Sequence, residues 1–265
     1  MKRAKIRLIN AVHGAISGRH WFDHWAARTR PDAVIANSRF TVASARTLFP
    51  GVRIETVYPP LVAHDPFDRD AVRSRIRAEF DTPADAVVVL IVSRIEALKG
   101  HAVLLDALAR IRNVAGWVGW IVGGAQRPRE MELLADLRTA TSRSGIGDRV
   151  RFAGARSDIP EVMAAADVYC QPNTGPEGFG LTFVEALRAG LPVITSDFGG
   201  AAEIVDATCG ALCPPGDAGA VAEALRDLIE NPHRREALGA AGPARAAALC
   251  DPAARLAEFA GIVRP

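Results

Sequence analysis

From about residue 85 to residue 230, short apolar runs of strand length alternate with longer segments of helical periodicity, and this alternation most narrows what the chain can fold into. Strands are expected at 86–92, 117–122, 149–153, 168–171, 192–195 and, less strongly patterned, 210–213. Between them, helices are expected at 101–111, 129–144, 158–165, 181–189, 201–206 and 217–230. Runs such as Val87-Val88-Val89-Leu90-Ile91-Val92 have no polar face, so helices must cover both sides of the sheet they build. Gly190 after Arg188-Ala189, and Pro232 after Asn231, stand where helices should stop. The expected fold is α/β, with one complete doubly wound, Rossmann-like parallel-sheet domain.

Residues 1–60 repeat the pattern in shorter form. Strands are expected at 6–12, 33–36 and 54–58, and helices at 21–28 and 39–48, the second capped by Ser38 or a neighbour. That is about half of an α/β domain, and such a half-sheet should expose an edge and a hydrophobic face. Pro59-Pro60 opens a polar stretch through Asp70 that reads as a linker. The expected organisation is a partial N-terminal α/β domain at 1–65, the Rossmann-like domain at 66–250, and a C-terminal helix at 251–265 that packs back toward the N-terminal part. The alanine-rich stretch 238–249 is the only compositional bias.

With 265 residues, 49% apolar content and a formal charge of +2, the chain is a globular protein and not a disordered one. Residues 1–80 carry 14 Lys and Arg against 7 acids, which suits an anionic partner, such as phospholipid headgroups or a phosphorylated substrate, as well as ordinary solvated charge. No run of 18 apolar residues is present, and the basic start Met1-Lys2-Arg3 leads into a stretch too short and too charged for a secretory signal. A cytoplasmic location is expected, with the inner face of the membrane included. Trp21, Phe22 and Trp25 beside Arg19, Arg28 and Arg30 suit core packing, which is preferred here over contact with a membrane interface. Cys170, Cys209, Cys213 and Cys250 lack metal-ligand spacing and read as small apolar side chains in a reducing compartment.

Three segments carry chemistry. In the run 176–185, Glu177 and Glu185 flank Gly178, Phe179, Gly180 and Leu181 at the mouth of a helix whose first N–H groups would meet an anion. Ser93-Arg94 through Lys99-Gly100 follows a buried strand and places two cations at the carboxyl edge of the sheet, where they suit a diphosphate; Arg94 could equally pair with Glu96. Gly123 and Gly124 end another strand at that edge, a weak signal alone because many such pairs are simple turns. Asp68-Arg69-Asp70 has the lettering of a metal-holding aspartate pair, yet it precedes a helical pattern at 71–80 and suits a helix cap better.

Together these segments resemble the retaining glycosyltransferases of group 1, also called family 4, which have the two-domain GT-B architecture. The likeness runs over residues 31–260. It rests on Asn37-Ser38, Ser93-Arg94-x4-Lys99-Gly100, Phe152-x-Gly154, the Glu177-to-Leu181 loop with Glu185, and Gly199-Gly200-x2-Glu203. The resemblance implies a nucleotide-sugar donor whose diphosphate is held by Arg94 and Lys99, with backbone N–H groups of Phe179, Gly180 and Leu181 on sugar and phosphate. It implies Glu177 on the donor-sugar hydroxyls, Glu185 on the ribose, and base contacts from backbone groups of Gly154, Ala155 and Arg156. His13 matches the histidine that the family presents near the donor sugar, although a lone histidine is more often structural.

The reaction implied is sugar transfer with retention, by same-face attack on a short-lived oxocarbenium-like species, and not the paired-carboxylate chemistry of glycosidases. No cofactor and no metal are expected, because Arg94 and Lys99 would take the metal's place. The partners implied are the nucleotide sugar and a carbohydrate or lipid-linked acceptor in cell-surface polysaccharide or glycolipid synthesis, with no nucleic acid. Residues 1–60 match only the last part of the family's first domain. A late start, a partner chain supplying the rest, or a reduced member that binds nucleotide sugar without efficient transfer each accounts for that departure.

Overall fold

The computed structural model describes residues 7–14 and 21–264. Residues 1–6 and 15–20 lie outside them, which takes in Met1, Lys2, Arg3 and Arg19, named above, and the first position of the strand expected at 6–12. The chain opens with β1 (Ile9–Val12), α1 (Trp21–Arg28), β2 (Ala33–Ala36), α2 (Arg39–Leu48) and β3 (Ile54–Thr56). There follow α3 (Arg69–Glu79), β4 (Val87–Val92), α4 (His101–Arg110), β5 (Trp117–Val122), α5 (Pro128–Arg143) and β6 (Val150–Gly154). The second half holds α6 (Ile159–Ala165), β7 (Val168–Gln171), α7 (Leu181–Arg188), β8 (Val193–Ser196), α8 (Ala201–Ile204) and β9 (Gly210–Cys213). Helices α9 (Ala218–Glu230), α10 (Pro232–Cys250) and α11 (Pro252–Val263) complete it.

The larger sheet has six parallel strands in the order β6-β5-β4-β7-β8-β9. Its side chains alternate between two cores, as a two-residue repeat requires. Val88, Leu90 and Val92 face one core with Ile76 of α3, Met163 of α6, Phe183 of α7 and Leu249 of α10. Val87, Val89 and Ile91 face the other with Leu104 of α4, Leu137 of α5 and Leu225 of α9. Strand order reverses between β4 and β7, and beyond the carboxyl ends of those strands lies the crevice where open α/β sheets bind ligands.

One side-chain network ties α3 to this sheet. The Arg77 guanidinium, 5% exposed, donates to the carbonyls of Ala165, Pro83, Ala84 and Ala86 and to Asp167 Oδ2 at 2.5 Å. Asp167 also accepts from Arg73 at 2.7 Å and from the Val88 amide at 2.7 Å. Burial lowers the Arg77 pKa, and the Asp167 carboxylate opposes that shift.

The smaller sheet pairs β1, β2 and β3 in parallel, in that order. Strand β2 is buried throughout. The hydrophobic face expected to lie open is in part covered: Ile262 of α11 packs on Ala33, Ile35 and Val57, while Ala45 and the adjoining Phe49 pack on Val34 and Val12 across the sheet. Among the described residues the outer edge of β1 pairs with no other strand.

The aromatic residues of α1 correct the sequence reading. None of that helix is buried, and Trp21, Phe22 and Trp25 are 77%, 56% and 56% exposed, meeting edge-to-face at 5.8 Å and tilted at 5.6 Å instead of entering a core. Several bounds also move. Strand β3 ends at Thr56 and α8 at Ile204, shorter than expected, whereas α3 begins at Arg69, inside the stretch read as linker. Asp68 caps it by accepting from the amides of Asp70 and Ala71. The alanine-rich stretch is one long helix, α10, laid so closely on α7 that a Cβ at Gly242 would stand 2.5 Å from the Leu187 carbonyl oxygen. No helix among the described residues is long and apolar enough to cross a membrane.

Candidate functional site

The loop between β7 and α7 lies beside the β4–β7 switch point because Thr174 and Gly175 donate backbone N–H groups to the Leu98 carbonyl. Leu98 belongs to the single 3-10 turn Ala97–Lys99 that follows β4. This links the two segments, and Lys99 Nζ donates to Glu177 Oε2 at 2.5 Å, with both side chains about one-fifth exposed. Arg94 pairs with Glu96 at 2.7 Å and is the more exposed cation. Each cation expected to meet the diphosphate is thus held by a carboxylate.

Gly180 adopts φ 103°, which side chains with a Cβ rarely tolerate, and this turn starts α7 with no side chain capping its N-terminus. Phe179 is buried and stacks on Tyr58 at 5.1 Å, so its backbone is held from behind. Leu181, the first helical residue, is 41% exposed. At Gly178 a Cβ would stand 2.4 Å from the His13 carbonyl oxygen, so the close approach there is between two protein loops. His13 thereby comes beside Glu177, and both line one cavity of about 680 Å³ between the two sheets.

Glu185 is turned elsewhere. It borders a separate small cavity with His64, Met163 and Arg188, and desolvation raises its pKa, opposed by Arg188. The two glutamates therefore address different spaces on either side of the start of α7.

The turn after β5 is joined to the turn after β6. Gly123 donates its N–H to the Gly154 carbonyl at 2.8 Å, Gly124 accepts from Ile95 at 3.1 Å, and a Cβ on Gly124 would lie 3.2 Å from Ala155 Cβ. The Arg156 side chain is drawn away to Glu79 and Asp158, and its pKa is raised, chiefly by the hydrogen bond to Asp158. It borders a surface pocket with Phe80 and Arg138 and does not enter the Glu177 cavity. Among the described residues no three His, Cys, Asp or Glu side chains converge as a metal site would need.

Three residues lock the two sheets together, and of these the sequence reading gave a role only to Ser38, as a helix cap. Ser38 caps α2, accepting from the Thr41 amide, and donates to the Gly178 carbonyl at 2.5 Å. Glu203 accepts from the amides of Arg39 and Phe40 at 2.9 and 2.8 Å and from the Tyr58 hydroxyl at 2.9 Å. Burial first, then this bond to Glu203, raises the Tyr58 pKa. The carboxylate thus crowns the positive end of α2, and it does so from 160-odd residues away in sequence. Only the position of Glu203, three residues after Gly200, marked it in the sequence.

Glu203→Ala should lower unfolding stability in urea by about 1–3 kcal/mol, because it removes the acceptor of two helix-end amides, one exposed and one half-buried, and of a half-buried hydroxyl. Glu203→Gln should recover part of that loss. Faster amide exchange at residues 39–40 should accompany the alanine variant, and unchanged exchange there would show that the contact holds nothing in place.

Comparison with known proteins bears on this geometry. Residues 72–245 match the model of the family described as "Glycosyl transferases group 1". The chain is 37% identical over 150 residues to a phosphatidyl-myo-inositol mannosyltransferase of Mycobacterium leprae, covering 56% of this chain and 38% of that protein. It is 31% identical over 256 residues to a GDP-mannose-dependent alpha-(1-6)-phosphatidylinositol monomannoside mannosyltransferase of Mycolicibacterium smegmatis, covering 89% of this chain and 64% of that one. The chain therefore spans less than two thirds of these relatives. Among solved structures, Anabaena HepE in complex with UDP and glucose superposes with a TM-score of 0.81 at 28% identity, over 97% of this chain and 71% of that one.

Proposed function

Because the chain belongs to the group 1 glycosyl transferases, we propose that it transfers a sugar from a nucleotide-diphosphate donor, with retention, to a lipid-linked or polysaccharide acceptor. One observation carries the reading: Lys99 and Glu177 form a close pair at the β4–β7 switch point, and Glu177 lines the cavity that His13 also lines. On donor binding, Lys99 and Arg94 neutralise the diphosphate and the charge that grows on it as the glycosidic bond breaks. Glu177, with its cation drawn to phosphate, accepts hydrogen bonds from donor-sugar hydroxyls. The uncapped start of α7 supplies N–H groups to the same donor. Backbone groups of Gly154, Ala155 and Arg156 take the base, whereas Glu185, which borders the separate small cavity, is given no part in holding the donor. The leaving diphosphate assists deprotonation of the acceptor, and two fixed cations serve where other transferases use a divalent metal.

The names of the mycobacterial relatives point to a mannosyl donor and a glycolipid acceptor, whereas HepE holds UDP. A thermal-shift screen with GDP-mannose, UDP-glucose and an ADP-sugar should therefore show one nucleotide sugar raising Tm, by about 2.7 kcal/mol of added stability at a hundredfold excess over Kd. Absence of any shift would sink the reading. A second reading, a nucleotide-sugar-binding module that needs another chain for transfer, draws on the three-stranded sheet, whose β1 edge pairs with no other strand among the described residues. Donor binding without turnover would favour it.

A further inference from the structure

The cavity of about 680 Å³ that contains His13 and Glu177 has a second character. It falls within the roughly 300–1,000 Å³ usual for small-ligand pockets, yet much of its wall is hydrocarbon with no function in the donor chemistry. Ile35, Val57, Pro59 and Pro60 come from the smaller sheet and the segment after it, and Leu256 and Phe259 come from α11. Leu256 is 61% and Phe259 45% exposed, one helical turn apart on one face and opposite Leu181 at the start of α7, which is 41% exposed. Apolar side chains gathered in one concave groove, and not scattered, mark a surface meant to be covered.

The same wall holds Arg255, whose Nε is buried and has no hydrogen-bond partner among the described residues while its Nη1 pairs with Glu258 at 3.0 Å. A buried guanidinium N–H without an acceptor is costly, and an oxygen brought in by a ligand would satisfy it.

We infer that this groove binds the alkyl chain of an amphiphilic acceptor, with Leu256 and Phe259 against the chain and Arg255 donating to an oxygen of the linkage that joins chain to headgroup. The inference rests on the transferase reading only for the word acceptor. Continuity decides the occupant: the apolar wall and the Glu177–His13 pair bound one space, so whatever fills the groove also reaches the reacting centre. A hydrocarbon chain fits such a wall, and a free sugar does not. Because α11 also packs Ile262 on the smaller sheet, the groove is fixed in place before ligand arrives.

The test uses octyl glucoside and methyl glucoside as probes, titrated calorimetrically into the whole chain below the micellar concentration of the former. The octyl compound should bind at least about tenfold more tightly, as partial cover of its chain predicts. In the double variant Leu256→Ser/Phe259→Ser, two exposed positions whose change leaves the core intact, that preference should collapse toward parity. The nucleotide-sugar thermal shift should stay as in the unaltered chain. Equal affinity for the two glucosides, no binding of either, or a preference that survives in the double variant would overturn the inference. A lost nucleotide shift in the unaltered chain would instead overturn the donor reading and leave the glucoside comparison standing.

Discussion

Lys99→Ala is expected to lower kcat/KM for the nucleotide sugar by about 10²–10³, the scale set by removing one preorganised group that meets charge developing in a transition state. The argument starts from position. Lys99 ends a short turn directly after the central strand β4, and Gly100, at φ 78°, turns the chain from there into α4. Its Nζ is already held within 2.5 Å of Glu177, so little ordering remains to be done when the donor arrives. Truncation removes the cation and also leaves the Glu177 carboxylate without a partner.

The two members of the pair should fail differently. Affinity for the free nucleoside diphosphate should weaken in Lys99→Ala, because the cation meets phosphate. In Glu177→Gln that affinity should hold while kcat falls, because the glutamate meets the sugar. Steady-state kinetics together with calorimetric binding of UDP and GDP would separate them. A Lys99→Ala protein that keeps both its nucleotide affinity and its turnover would remove the basis of the proposed function.

Arg77→Ala should be the most damaging single substitution for stability, lowering it by about 3–5 kcal/mol, as when one partner of a buried ion pair is deleted. Four backbone carbonyls and one carboxylate converge on that guanidinium, and the side chain is 5% exposed. Without it those acceptors lose their donor in a place that water reaches poorly. Lysine cannot repair the site, since one ammonium has three N–H donors on a flexible stem where the planar fork of arginine serves five acceptors. Urea unfolding of Arg77→Ala and Arg77→Lys would test this, and a loss under about 1 kcal/mol for the alanine variant would contradict it.

Much of the larger domain was legible because its signals are local. An unbroken apolar run such as 87–92 has only one stable setting, a central strand covered on both sides, and glycine at 180 marks a turn wherever it stands. The pairing of Lys99 with Glu177 was half legible. Each residue stood in a recognisable segment, but that they meet from 78 positions apart is a property of the strand order.

Other features were hidden for identifiable reasons. Helix α10 shows little apolar periodicity because its packing face is made of Gly239, Gly242 and Ala246, small enough to let it lie on α7, so the stretch reads as compositional bias. The aromatic cluster of α1 has the spacing of a core helix and lies on the surface, since burial depends on what stands opposite and not on the residues themselves. Glu203 is an unremarked acid until the start of α2 is brought to it.

By itself, the sequence determined the periodicity of the elements, the glycine turn before α7 and the identity of the charged and carboxylate groups near the strand ends. Those follow from backbone sterics and side-chain chemistry, which act over a few residues. Only the tertiary structure decided that Lys99 faces Glu177, that Glu203 and Ser38 clamp the two sheets, and that α11 returns to wall the cavity holding His13. Such contacts join residues far apart in the chain, and they exist only once burial of both faces of the larger sheet has fixed the order of its strands.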